Sequence, residues 1–162
     1  MALSALFEAL EAIPFARDIR ESAYLFPTLE TAHVVALAVV VGSIVIVDVR
    51  LLGAASKGQP VTAISKQYLP WTWAAFVFAA VTGGLLFISR ATSYVALTEF
   101  SAKFVVMGLA GLNMLVFHFM TYRTVKSWDL GPTPMGAKVA AGLSLVFWTS
   151  IVFLGRKVGF HL

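Results

Sequence analysis

The chain has 162 residues, of which 59% are hydrophobic and only 12% charged. A soluble domain carries roughly twice that charged fraction, so this composition, with a mean hydropathy of +0.87, excludes an ordinary soluble globular protein. The absence of cysteine excludes disulfides, thiolate metal sites, iron–sulfur clusters and c-type heme attachment, and the net charge of +4, scattered over helix ends, reads as headgroup contact rather than nucleic-acid binding.

Residues 1–20 place Leu3, Leu6, Phe7, Leu10 and Ile13 at helical spacing, with Glu8 and Glu11 between them. This predicts a short amphipathic helix, lying in the membrane interface or packed on the rest of the protein. The segment has neither the basic n-region nor the apolar h-region of a secretory signal. Pro27 opens a first span over residues 28–52, since proline is tolerated in a first helical turn. Residues 54–67 read as a polar linker. A second span follows over 70–88, with Trp71 and Trp73 as interfacial aromatics. A third covers 100–122, a turn cluster fills 127–134, and a fourth span covers 137–154, with Arg156 and Lys157 at its exit. Each span is close to the roughly 20 residues that cross a hydrocarbon core. Short connections between them predict a single all-α membrane domain, an up-down-up-down four-helix bundle.

Call side A the membrane face holding the N-terminus, and side B the opposite face. Basic residues divide evenly between them: Arg50, Lys57, Lys66, Arg123, Lys126 and Lys138 on side B, and Arg17, Arg20, Arg90, Lys103, Arg156 and Lys157 on side A. The expected orientation puts side B in the cytoplasm and both termini in the periplasm of a bacterial inner membrane.

Ionisable groups in hydrocarbon are costly and mark functional sites. On the first span Glu30, His33, Val40, Ile44 and Asp48 fall within about 60° of one another on a helical wheel. On the third span Lys103, Met107, Met114 and His118 do the same, with Asn113 about 80° to one side. The two stripes are expected to face each other or a common cavity. Depth splits them into two layers, because His118 lies roughly 22 Å along the axis from Lys103. Layer A holds Glu30, His33, Lys103, Met107 and Arg156. Layer B holds Asp48, Arg50, His118 and Arg123. His33 and His118 therefore do not ligate one heme. A b-type heme with His33 as metal ligand stays open, the other axial position being Met107, water or nothing, and Lys103 a propionate partner. The alternative is that Glu30, His33 and Lys103 satisfy one another as a buried polar cluster.

Each of these residues also has a purely structural reading. Lys103 pairs with Glu99 one turn away or snorkels to headgroups. His118 bonds Asp48 or a backbone carbonyl. Met107 and Met114 fill the core, against a copper site from Met114, His118 and Met120. His161 is interfacial. Gly42, Gly83, Gly84, Gly108, Gly111 and Gly142 allow close helix approach or leave a slot for a flat ligand. No Walker loop, dinucleotide fingerprint, HExxH or Ser/His/Asp arrangement is present.

The runs ESAYLFPTLETAH and DVRLLG, LPWTWAAF and TGGLLF, EFSAKF and GLNMLVFH, and the GRKVGF ending, resemble a bacterial family of four-helix membrane proteins known only as a domain of unknown function. That resemblance covers nearly the whole chain and implies fold and membrane location, with no activity attached. An early-helix His with a third-helix Lys is distantly similar to the heme-dependent membrane protoporphyrinogen oxidase and to CopD-type membrane proteins. That likeness implies His33 as a heme-associated histidine and Lys103 as an essential lysine. Three functions follow as expectations. The first is a membrane b-heme or redox protein with its site between the first and third spans. The second is a non-enzymatic subunit or scaffold, in a homo-oligomer or a membrane complex. The third is a small transporter or proton pathway through Glu30, His33, Asp48 and His118.

Overall fold

The computed structural model describes residues 2–161, with side chains from residue 4 onward. Leu3 of the N-terminal apolar stripe has its side chain outside the described part. The helices are α1 (Ala2–Glu11), α2 (Pro14–Glu21), α3 (Leu25–Leu51), α4 (Val61–Ser89), α5 (Ala91–Val95), α6 (Thr98–Val116) and α7 (Met135–Gly159). A π turn, Phe117–Thr121, and a 3-10 segment, Tyr122–Ser127, continue α6. No strand occurs among the described residues, and the fold is all-α. Four elements are long and apolar enough to cross a membrane: α3, α4, the continuous run Thr98–Ser127, and α7.

The N-terminal segment is two helices rather than one. Ile13 has ψ 130°, the extended conformation favoured before a proline, and Pro14 then opens α2. Both helices pack on the bundle: α2 buries Ala16 and Ile19 completely against α3 and α4. Glu11 Oε1 accepts hydrogen bonds from the Thr92 amide at 2.7 Å and the Thr92 hydroxyl at 2.6 Å. Arg20 donates to the Ser89 carbonyl at 3.1 Å. Leu6, Ile13 and Phe15 stay exposed on the outer side.

The long helices start earlier than the apolar runs. Ser22 Oγ accepts from the Leu25 amide at 3.1 Å and so caps the entry to α3. The second helix starts at Val61, inside the expected linker, and carries Pro70 within it. Its first turn is capped from across the protein. Asp129 accepts from the Thr62 amide at 2.8 Å and the Thr62 hydroxyl at 2.6 Å, and its carbonyl accepts from the Val61 amide at 3.2 Å. Arg50 locks the same corner by donating to the carbonyls of Gln59 and Asp129 at 2.8 and 3.1 Å. Partial burial opposes the Asp129 charge, but the Thr62 hydrogen bonds and the Arg50 charge outweigh it and hold this carboxyl below the usual aspartate range. A cluster of Leu51, Val61, Val125, Trp128, Ala137 and Ala141 closes side B around this corner.

The bundle is closed along three seams and open along the fourth. α3 packs on α4 and on α7, and α6 packs on α7, whereas α4 and α6 share no packed interface. The α3–α4 seam is narrow because α4 buries Ser65, Thr72, Ala79, Thr82, Leu86 and Ser89, mostly small or hydroxylated and at heptad spacing. Ser43 and Thr72 hydroxyls meet across it at 2.7 Å. The α6–α7 seam carries a hydrogen bond from Asn113 Nδ2 to the Ala140 carbonyl at 2.9 Å. At side A, aromatic rings bridge α4 and α6. Phe87 and Phe100 stack at 5.5 Å, with Tyr94 of α5 tilted against Phe100 at 5.2 Å.

Candidate functional site

Towards side B the open seam widens into a cavity of about 510 Å³ between α3, α4, α6 and α7. Its α3 wall is Val40, Ile44, Val47, Asp48 and Leu51. Its α6 wall includes Met107, Ala110, Gly111, Asn113 and Met114, continued by His118 in the π turn. Rings from Trp73, Phe76, Phe117, Tyr122 and Trp148 fill much of the remaining surface. The rim residues Trp73 on α4 and Leu115 and Phe119 on the opposite wall are 52%, 47% and 67% exposed, so the cavity opens sideways, where lipid would lie.

The cavity wall is mostly apolar, but Asp48 stands in it. Asp48 is 6% exposed. Ser144 of α7 stands beside its carboxyl group, and its Oδ2 is buried without a hydrogen-bond partner. Arg50, two residues on, is turned away into the α4 corner and does not pair with it. His118 donates from Nδ1 to the Met114 carbonyl at 3.1 Å, since a carbonyl only accepts. The π turn gives this stretch of backbone its wider pitch, a feature found often at functional sites.

The layer A residues are distributed differently. His33 is half-buried and faces α4. Its Nδ1 donates to the Ala79 carbonyl at 2.9 Å and lies 3.1 Å from the Thr82 hydroxyl. The ring lies over Gly83 so closely that a Cβ there would sit 2.9 Å from His33 Cε1. Lys103 is within electrostatic reach of His33, and its Nζ reaches α7, 3.5 Å from where a Cβ on Gly155 would lie. Glu99 pairs with Lys157 at 3.4 Å rather than with Lys103, because the end of α7 lies opposite the first turn of α6. Glu30 is exposed and points towards Gly159. Arg156 stacks on Phe160, and Arg123 and His161 are exposed.

The structure therefore gathers one subset of the expected residues, Asp48, Met107, Met114 and His118, on one cavity, and leaves Glu30, His33 and Lys103 outside its lining. Met107 is separated from His33 by this division, and Met120 is exposed outside the cavity wall. Among the described residues no group of three or more His, Asp and Glu side chains is placed to hold a metal ion. Sequence reasoning missed the neighbours on the other helices: Ser144 beside Asp48, Thr82 for His33, and Thr72 for Ser43. The heptad of small and hydroxylated residues along α4 is the signal that marks two of them.

No curated protein and no solved structure matches the chain. Residues 22–161 match the family of unknown function DUF6644, and the chain belongs to that family.

Proposed function

We propose that this chain is a multi-pass protein of the bacterial inner membrane that binds a small membrane-soluble molecule between its first and third spans. The cavity is the observation that supports the reading. Its volume of about 510 Å³ falls in the range of roughly 300–1,000 Å³ typical of ligand pockets. Helix association in lipid relies on packing, so a bundle serving only as a scaffold gains from closing its fourth seam. Here that seam is open, and a polar group is held at its depth. The test is ligand-linked stability in lipid nanodiscs. A neutral amphiphile such as decanol should raise the unfolding temperature of the wild type in a saturable way. Gly111→Phe, which grows into open space from the cavity wall, should lose that response. Equal responses in both proteins would count against the reading.

A b-type heme is the second reading, and one observation favours it at His33. With Nδ1 tied to the Ala79 carbonyl, the neutral ring keeps its lone pair on Nε2, the arrangement in which a hydrogen bond at the other nitrogen orients a ligating imidazole. The large cavity suits a heme poorly, because its lining holds no lysine or arginine for two propionates and does hold Asp48. At His33 the protein would offer one axial ligand, with Lys103 as the cation for a propionate. Such a group would supply one-electron chemistry. A Soret band in protein from heme-replete cells, lost in His33→Ala, is the expected result, and a colourless preparation refutes this second reading.

A further inference from the structure

The cavity wall is asymmetric in its chemistry. Asp48 is the acid on it, no lysine or arginine lines it, and the rest is apolar or aromatic with a few neutral polar groups. Asp48 Oδ2 is a buried oxygen without a hydrogen-bond partner. A buried acceptor without a partner is costly, the more so if charged. The nearby guanidinium of Arg50 is committed to two backbone carbonyls, so the protein's own chain does not meet the need. Asp48 is also not at the mouth, where headgroups or water would serve it: it is 6% exposed. What the site lacks is a donor attached to an apolar body. The rings of Trp73, Phe76 and Trp148 on the same wall also favour a positive head, since aromatic faces attract cations.

We infer that the cavity between α3 and α6 is a binding site for membrane-soluble amines, with a protonated nitrogen on Asp48 and the hydrocarbon part against the apolar walls and the open α4–α6 seam. This rests on the reading of the cavity as a ligand site and adds the ligand's head chemistry. An amine enters sideways from the bilayer, tail-compatible with the rim residues Trp73, Leu115 and Phe119. Its N–H groups satisfy Oδ2. Anionic amphiphiles are disfavoured, because their charge faces Asp48 without a compensating cation.

The test compares decylamine, decanol and decanoate, which share one tail, by equilibrium dialysis against nanodiscs of zwitterionic lipid with and without the protein. Wild type should bind decylamine at least about tenfold more tightly than decanol, as one charge-assisted hydrogen bond in a dry site would give, and decanoate weakest. Asp48→Asn keeps the shape and should erase the amine preference, bringing decylamine to within about twofold of decanol in the same variant. Equal affinity for amine and alcohol in the wild type, or an amine preference that survives in Asp48→Asn, overturns the amine assignment while the cavity reading stands. Absence of saturable binding of all three probes overturns both. If Asp48→Asn does not fold, Ser144→Ala, which leaves the acid in place, should retain the amine preference, and its loss there would contradict the assignment to Asp48.

Discussion

At the scale of single residues, helical phase reads the α3 and α6 stripes well in one half of the membrane and less well in the other. Val40, Ile44 and Asp48 share a cavity with Met107, Met114 and His118, as the common phase of each set implies. His33 shares that phase but bonds to α4. The reason is geometric: α3 lies between α4 and α7, and a straight wheel ignores the drift of about 20° per heptad between a 3.6-residue helix and a seven-residue packing repeat. The His33–Gly83 contact gives a sharp prediction. Gly83→Ala puts a methyl group 2.9 Å from His33 Cε1, and overpacking of this kind costs about 1–3 kcal/mol. Unfolding in detergent should show that loss, and His33→Ala should relieve it, so that the double variant is less than additive. Full additivity would mean that the ring is not seated there. By contrast, Thr72→Val should cost only about 0.6 kcal/mol, the average for an interhelical hydrogen bond in a membrane protein, because the Ser43 hydroxyl it leaves also bonds the Val39 carbonyl.

At the scale of elements, the four long helices are legible as apolar runs, but their ends are not. The start of α4 at Val61 depends on Asp129, far along the chain, and no local rule reports a cap supplied from there. Asp129→Ala should destabilise the α3–α4 corner by about 1 kcal/mol, the usual cost of losing a capping side chain. The sign with pH follows from the lowered carboxyl pKa. An acid held below its unfolded value stabilises the fold fully above that value, near 3.9, and the benefit disappears as pH falls through the folded value. The unfolding-temperature gap between wild type and Asp129→Asn should therefore be constant near neutrality and shrink below about pH 4. A gap that widens in acid would contradict the clamp. The split of the N-terminal segment at Ile13 and Pro14 is local chemistry and legible in the sequence. Its docking on α5 is not, because it turns on Glu11 meeting Thr92.

At the scale of the whole molecule, the number of spans fixes a bundle but leaves open which helices touch. Consecutive spans in an up-down bundle are neighbours by default. Here the second and third are held apart, joined at side A by the Phe87, Tyr94 and Phe100 rings and open towards side B. The open seam turns an unremarkable set of polar residues into a site, since it leaves Asp48 facing space instead of a packed helix. No residue pattern announces a missing contact, which is why the cavity emerges only in three dimensions. The central claim is that this space takes up one membrane-soluble molecule. Equilibrium dialysis of decanol against protein-loaded and empty nanodiscs measures that directly. A saturable excess approaching one decanol per chain is expected, weakened about tenfold or more by Gly111→Phe. An excess that never saturates, or one that Gly111→Phe leaves unchanged, would contradict it.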